Sequence, residues 1–278
     1  MDQAQKLREL FSKPSHSKSR VITVTGAKGG IGKTCIAVNI SLALKKLGYN
    51  TLLIDADIGF SNVEIELGTI SKYTLYDLLY NKKKIIDIIN EGPLGLKYIT
   101  SGGDFDFLKS DMDFDIFLNN IRILDFYSDF IIIDTGAGIN STVQKFINAA
   151  DEVLVIITPE PTSIMDAYLL IKNLLAKKNT VINIIVNKAK NYNEYKEVFN
   201  RFNSVVSHFL GIKINDFGFL LEDGRISECI KAQIPILIKY QNSNISKDIM
   251  EIAMKISKTE VKYKQDGLMG IFKKIFKR

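Results

Sequence analysis

Residues Gly26 to Thr34 read Gly-Ala-Lys-Gly-Gly-Ile-Gly-Lys-Thr and satisfy the spacing G-x-x-x-x-G-K-[ST]. No other stretch restricts the fold as much. Glycines at these positions let successive backbone N–H groups close around phosphate oxygens, and such a loop works only between a buried strand and the N-terminus of a helix. The flanks meet that requirement: residues 21–25 are an apolar, β-branched run, and Lys33–Lys46 carries a helical pattern. Gly29, Gly30, Ile31 and Gly32 are the expected backbone donors. Lys33 can reach the β- and γ-phosphates, and the Thr34 hydroxyl can sit on Mg²⁺. Cys35 falls in the same nucleotide-binding run, and its side chain is expected to pack as a small hydrophobe.

The rest of the chain repeats the strand–helix alternation. Residues 51–54, 96–100, 130–133, 153–157, 181–186 and 214–219 are short apolar runs, as strands buried on both faces require. Helical patterns follow several of them, including residues 142–149 and 163–176. This predicts an α/β, doubly wound, mostly parallel sheet with helices on both faces, which binds its ligand at the carboxyl ends of the strands. Acids stand at those ends. Asp55 and Asp57 follow the second strand, and Asp134 follows four apolar residues in the arrangement that orients a Mg²⁺ shell. After residues 181–186 comes Asn187-Lys188-Ala189-Lys190, which lacks the aspartate that would read guanine. The amide of Asn187 suits adenine instead, so the expected cofactors are ATP and Mg²⁺.

With 278 residues, 46% of them hydrophobic, the chain can bury one full core, and no stretch approaches the roughly 18 apolar residues of a membrane span. The first twenty residues are polar and do not read as a secretory signal. Two distant cysteines, Cys35 and Cys229, support neither a disulfide framework nor a metal site, and fit a reducing cytoplasm.

Lys28 adds a second lysine to the loop, giving Lys28-Gly29-Gly30-Ile31-Gly32-Lys33-Thr34. At every defining position this resembles the deviant Walker A loop of the MinD/ParA family of ATPases, and the resemblance extends over the body, residues 20–258. It implies a P-loop ATPase whose catalytic groups are Lys28, Lys33 and Asp57. Lys28 would reach the nucleotide of a second copy in an ATP-dependent homodimer, and Asp57 would position the attacking water. Asp55 would support Mg²⁺ through water beside Thr34 and Asp134. The resemblance also places adenine against a loop matching Leu221 and Glu222, although Leu221 stands where the family usually has proline.

The two ends read as separate segments. Residues 1–19 hold a short stripe of Leu7, Leu10 and Phe11, too short to hold a helix in water and expected to order on a partner. This segment resembles the D-Q-A-x-x-L-R activator found in the flagellar (FlhG) branch of the family, through Asp2, Gln3, Leu7 and Arg8. The resemblance implies stimulation of the FlhF GTPase and a role in flagellar number and placement, with basal-body components as further partners. Residues 259–278 are a linker and an amphipathic helix. Leu268, Ile271, Phe272, Ile275 and Phe276 form one face, and Lys273, Lys274, Lys277 and Arg278 the other. Such a helix suits an anionic membrane surface and predicts peripheral association with the inner face of the cell membrane, nucleic acid being the less favoured partner. A ParA-type DNA-partitioning ATPase and cell-division MinD remain open alternatives, since both share the nucleotide motifs. A nitrogenase-like reductase is excluded by the wide separation of Cys35 from Cys229.

Overall fold

A computed structural model describes residues 3–11, 18–57, 62–102, 116–175 apart from 118 and 121, and 180–259. Its centre is one eight-stranded sheet. In chain order the strands are β1 (Arg20–Thr25), β2 (Thr51–Ala56), β3 (Asn90–Glu91), β4 (Lys97–Ile99), β5 (Phe130–Thr135), β6 (Glu152–Ile157), β7 (Val181–Ala189) and β8 (Asn215–Leu221). They lie in the order β3-β4-β2-β5-β1-β6-β7-β8, and every pairing is parallel except β3 with β4. The doubly wound α/β fold expected from the alternation is therefore the fold found. The edge pair at β3 is the one addition: two residues carry no periodicity to read.

Strand residues alternate between two apolar layers. In β6, Val153, Val155 and Ile157 join one layer and Leu154 and Ile156 the other. The second layer holds α2 (Lys33–Lys46), α3 (Asn62–Leu67), α8 (Gly224–Ala232), α9 (Ile236–Lys239) and α10 (Asn244–Lys258). Helix α2 is sandwiched there and is buried continuously from Ile36 to Leu44, which suits its apolar composition on every side. The first layer holds α4 (Leu75–Tyr80), α5 (Ser141–Ala149), α6 (Pro161–Leu170) and α7 (Tyr192–Leu210).

The N-terminal segment departs from expectation. Helix α1 (Gln3–Leu10) packs on the body itself, with Leu7 and Phe11 buried in the first layer. Tertiary packing supplies the stability that a helix this short lacks alone. The backbones of Gln3 and Arg8 lie within that helix, while Asp2 and the whole segment from residue 260, including Leu268, Ile271, Phe272, Ile275 and Phe276, lie outside the described residues.

Candidate nucleotide site

The carboxyl ends of β1, β2, β5, β7 and β8 converge on a cleft of about 930 Å³ lined by Gly30, Lys33, Asp57, Asn187, Leu221 and Glu222, among others. The phosphate loop forms its floor. Gly30 and Gly32 hold φ of 72° and 94°, a region that disfavours side chains. At Gly32 a Cβ would also come within 2.4 Å of the Asn187 amide nitrogen. Gly32 is the N-cap of α2 and offers no side-chain cap, so the first amides of that helix have no side-chain acceptor at the cap. Lys33 is buried, its Nζ donating to the carbonyl oxygen of Lys28 at 3.3 Å. Burial pulls its pKa down, and the carboxylates of Asp134 and Asp57 work against that.

The acids cluster as their strand ends dictate. Asp55 and Asp134 are register partners on neighbouring strands, and both are fully buried. Neither Asp134 oxygen has a hydrogen-bond partner. Burial pushes its carboxyl up to about 7, with Thr34 and Lys33 opposing the shift. Asp55 is engaged locally: one oxygen accepts from Asp57 N–H at 3.0 Å, the other from Val63 N–H at 3.4 Å. Its carboxyl is raised well above the ordinary range by burial and by Asp134. Asp57 accepts from Asn62 Nδ2 at 3.1 Å, and burial raises its pKa while Lys33 lowers it. A Cβ on Gly136 would lie 2.5 Å from Asp57 Oδ1, so that glycine is what lets the Asp57 carboxylate meet the loop after Asp134.

Two carboxyls, Asp57 and Asp134, share one buried lysine, and Asp134 has two orphaned oxygens. That donor set fits a hard divalent cation whose remaining ligands are oxygens from outside the protein. Among the described residues no group of three or more His, Cys, Asp or Glu forms a self-sufficient metal cage. A divalent cation held there would therefore need oxygens from phosphate and water to complete its shell.

Three placements refine the expectations from sequence. Asn187 Nδ2 donates to the carbonyl oxygen of Ile31 at 2.7 Å, so this amide braces the phosphate loop. Lys28 turns outward. Its half-exposed Nζ binds Glu160 and donates to Thr162 Oγ1 at 3.1 Å. Cys35 lines the cleft instead of packing fully away, and burial with nearby Glu66 pushes its thiol well up.

Glu66 is a site residue that the sequence motifs do not single out. It is buried on α3, lines the cleft, and burial raises its carboxyl to about 7. The signal for it is a carboxylate inside the buried stripe Val63, Glu66, Leu67. Glu160 and Thr162, the partners of Lys28, likewise belong to no nucleotide motif.

The family profile described as an AAA domain matches residues 19–188. The chain is 33% identical to the antiactivator FleN of Pseudomonas aeruginosa over 85% of this chain and 86% of that one. It is 29% identical to the flagellum site-determining protein YlxH of Helicobacter pylori over 93% of this chain and 90% of that one. Among solved structures, MinD of Aquifex aeolicus superposes with a TM-score of 0.70 at 26% identity, covering 87% of this chain and 98% of its own.

Proposed function

The chain belongs to the MinD/ParA family of P-loop ATPases, and on that premise we propose that it is an ATP-driven dimerising switch that regulates flagellar number or placement. Similarity to FleN and YlxH supports the flagellar assignment. The observation that carries the switch is the position of Lys28. The loop's second lysine faces the rim, held by Glu160 and Thr162, while Lys33 stays inside. A cation at the rim is available to a nucleotide in a second copy docked over the cleft.

In this reading Gly29, Gly30, Ile31, Gly32 and Cys35 present backbone amides to the phosphates. Lys33 gives up the Lys28 carbonyl for phosphate oxygens. Thr34 and Asp134 would hold Mg²⁺, with Asp55 behind them, and the ion would supply neutralisation of phosphate charge. Asp57 orients the attacking water and accepts its proton at the carboxylate. Leu221, Glu222 and the free part of the Asn187 amide bound the adenine. Turnover is slow until a partner orders the site. Asp2, Gln3, Leu7 and Arg8 stimulate an FlhF-type GTPase, and basal-body components are further partners. The amphipathic segment with Leu268, Ile271, Phe272, Ile275 and Phe276 brings the dimer to the anionic inner face of the membrane. Two copies of a weak anchor bind far better than one. Among the described residues no helix is long and apolar enough to cross a membrane.

The test is co-sedimentation with anionic vesicles in ATP or ADP, comparing the full chain, a chain ending before Gly267, and Lys28→Ala. ATP-dependent pelleting of the full chain alone, with ATP-dependent dimers in light scattering lost in Lys28→Ala, is the expected result. Binding to DNA with no binding to vesicles would move the protein to the DNA-partitioning class.

A further inference from the structure

Helix α1 is held against the body in two ways. Leu7 and Phe11 are 1% and 2% exposed, among the largest fully buried side chains of the described residues. Phe11 N–H donates to Leu7 O at 3.0 Å, so the two lie one turn apart on a single face. That face packs on the 3₁₀ turn Ile85–Ile88, and the Phe11 ring lies 6.2 Å from Tyr127. Both residues share a buried cluster with Ile85, Ile86, Ile88 and Leu124. The chain is then fixed again at buried Ser19, whose N–H donates to Asp125 O at 3.0 Å and whose hydroxyl donates to Ser128 O at 2.6 Å.

Leu7 belongs to the segment proposed to activate a GTPase, and its burial gains a regulatory meaning only on that reading. A side chain with 1% exposure cannot touch a second protein. We infer that the groove walled by Ile85–Ile88, Leu124 and Tyr127 is the docking surface for the chain's own N-terminal helix, and that docking there and engaging the GTPase exclude one another. The partner surface that fits the released helix is an apolar slot, because Leu7 and Phe11 must again leave water. Its apparent affinity is reduced by the fraction of chains in which the helix is out.

Stimulation of GTP hydrolysis by an FlhF-type GTPase can be titrated with the full chain, with the full chain carrying Tyr127→Asp, and with a peptide of residues 1–19. Tyr127 is only half-buried, and its replacement leaves the activating segment chemically intact. The peptide and the Tyr127→Asp chain should half-saturate at concentrations roughly tenfold lower than the wild-type chain. Equal half-saturation in all three overturns the inference and leaves the activator reading standing. A peptide that never stimulates sinks the activator reading instead, and the groove is then judged by hydrogen exchange on the intact protein. There the amides of residues 7–11 should exchange roughly tenfold more slowly in the wild type than in Tyr127→Asp. Exchange at free-peptide rates in the wild type refutes docking outright.

Discussion

The two ends of the sheet both bury charge, and they treat it in opposite ways. At the amino ends of the strands, Arg20 pairs with Glu152, and both are almost inaccessible. Glu152 also accepts from Asn183 Nδ2 at 2.8 Å, and Asn183 Oδ1 accepts from Asn215 at 3.0 Å. Arg20 Nη1 donates to the carbonyl oxygens of Ile256 and Thr259, tying β1 to the end of α10, and only Nη2 is left unpaired. At the carboxyl ends, Asp134 keeps two bare oxygens. The same sheet therefore carries, at one pole, a polar network closed but for one guanidinium nitrogen and, at the other, an open one. A closed network stabilises the fold, whereas an open one waits for a ligand and is costly until it arrives.

The largest expected effect breaks the closed pole. Arg20→Met leaves Glu152 buried without its cation and should cost about 3–5 kcal/mol, lowering Tm by roughly 6–20 °C for a domain of this size. Adding Glu152→Leu should recover most of that loss, since an apolar pair can replace a buried ion pair at little cost. Nucleotide affinity, read by a fluorescent ATP analogue, should stay within about threefold of wild type in the double variant. A tenfold change would mean the poles are coupled.

The open pole should respond with the opposite sign. Asp134→Asn removes a buried carboxyl whose burial Thr34 and Lys33 offset only in part. Stability without nucleotide should hold or rise by about 1 kcal/mol, while ATP hydrolysis falls by roughly 100-fold or more. The pH dependence comes from the same group. Its folded pKa is raised to about 7 by burial, so between the ordinary carboxylate pKa and about 7 the folded chain binds more protons than the unfolded one. Stability without nucleotide must then fall as pH rises through that window. Asp55 and Glu66, raised by burial as well, add to the slope. Tm measured from pH 5 to 8 should decline in the wild type and decline less steeply in Asp134→Asn.

The contrast between the poles also explains which features are legible in the amino-acid sequence. The phosphate loop and the acids Asp55, Asp57 and Asp134 are legible because each sits one to three residues past an apolar run, and a parallel sheet gathers all such positions at one pole. Seven strands are legible for the same reason. The docking of Leu7 and Phe11 is not, because their stripe says only that one face is apolar and nothing about which surface covers it. The Arg20–Glu152 pair joins residues 132 positions apart and has no local pattern. Glu66 hides within an apolar stripe. Asn187 is legible as a site residue, but its task depends on a contact with Ile31, 156 positions away.

That contact sets the smallest and most discriminating test. If the Asn187 amide chiefly reads adenine, Asn187→Ala should erode the preference for ATP over GTP and leave binding of inorganic tripolyphosphate unchanged. If it chiefly braces the phosphate loop through Ile31, as the 2.7 Å bond indicates, all three ligands should weaken together. One neutral hydrogen bond is worth about 1 kcal/mol, so the expected loss is roughly fivefold for each, measured by calorimetry. The Gly32 position argues for the second outcome. Gly32 and the Asn187 nitrogen are so close that no Cβ fits between them, so the amide is part of the loop's own packing before any base enters the cleft. A loss confined to ATP would reverse that assignment and give the whole Asn187 amide to the base.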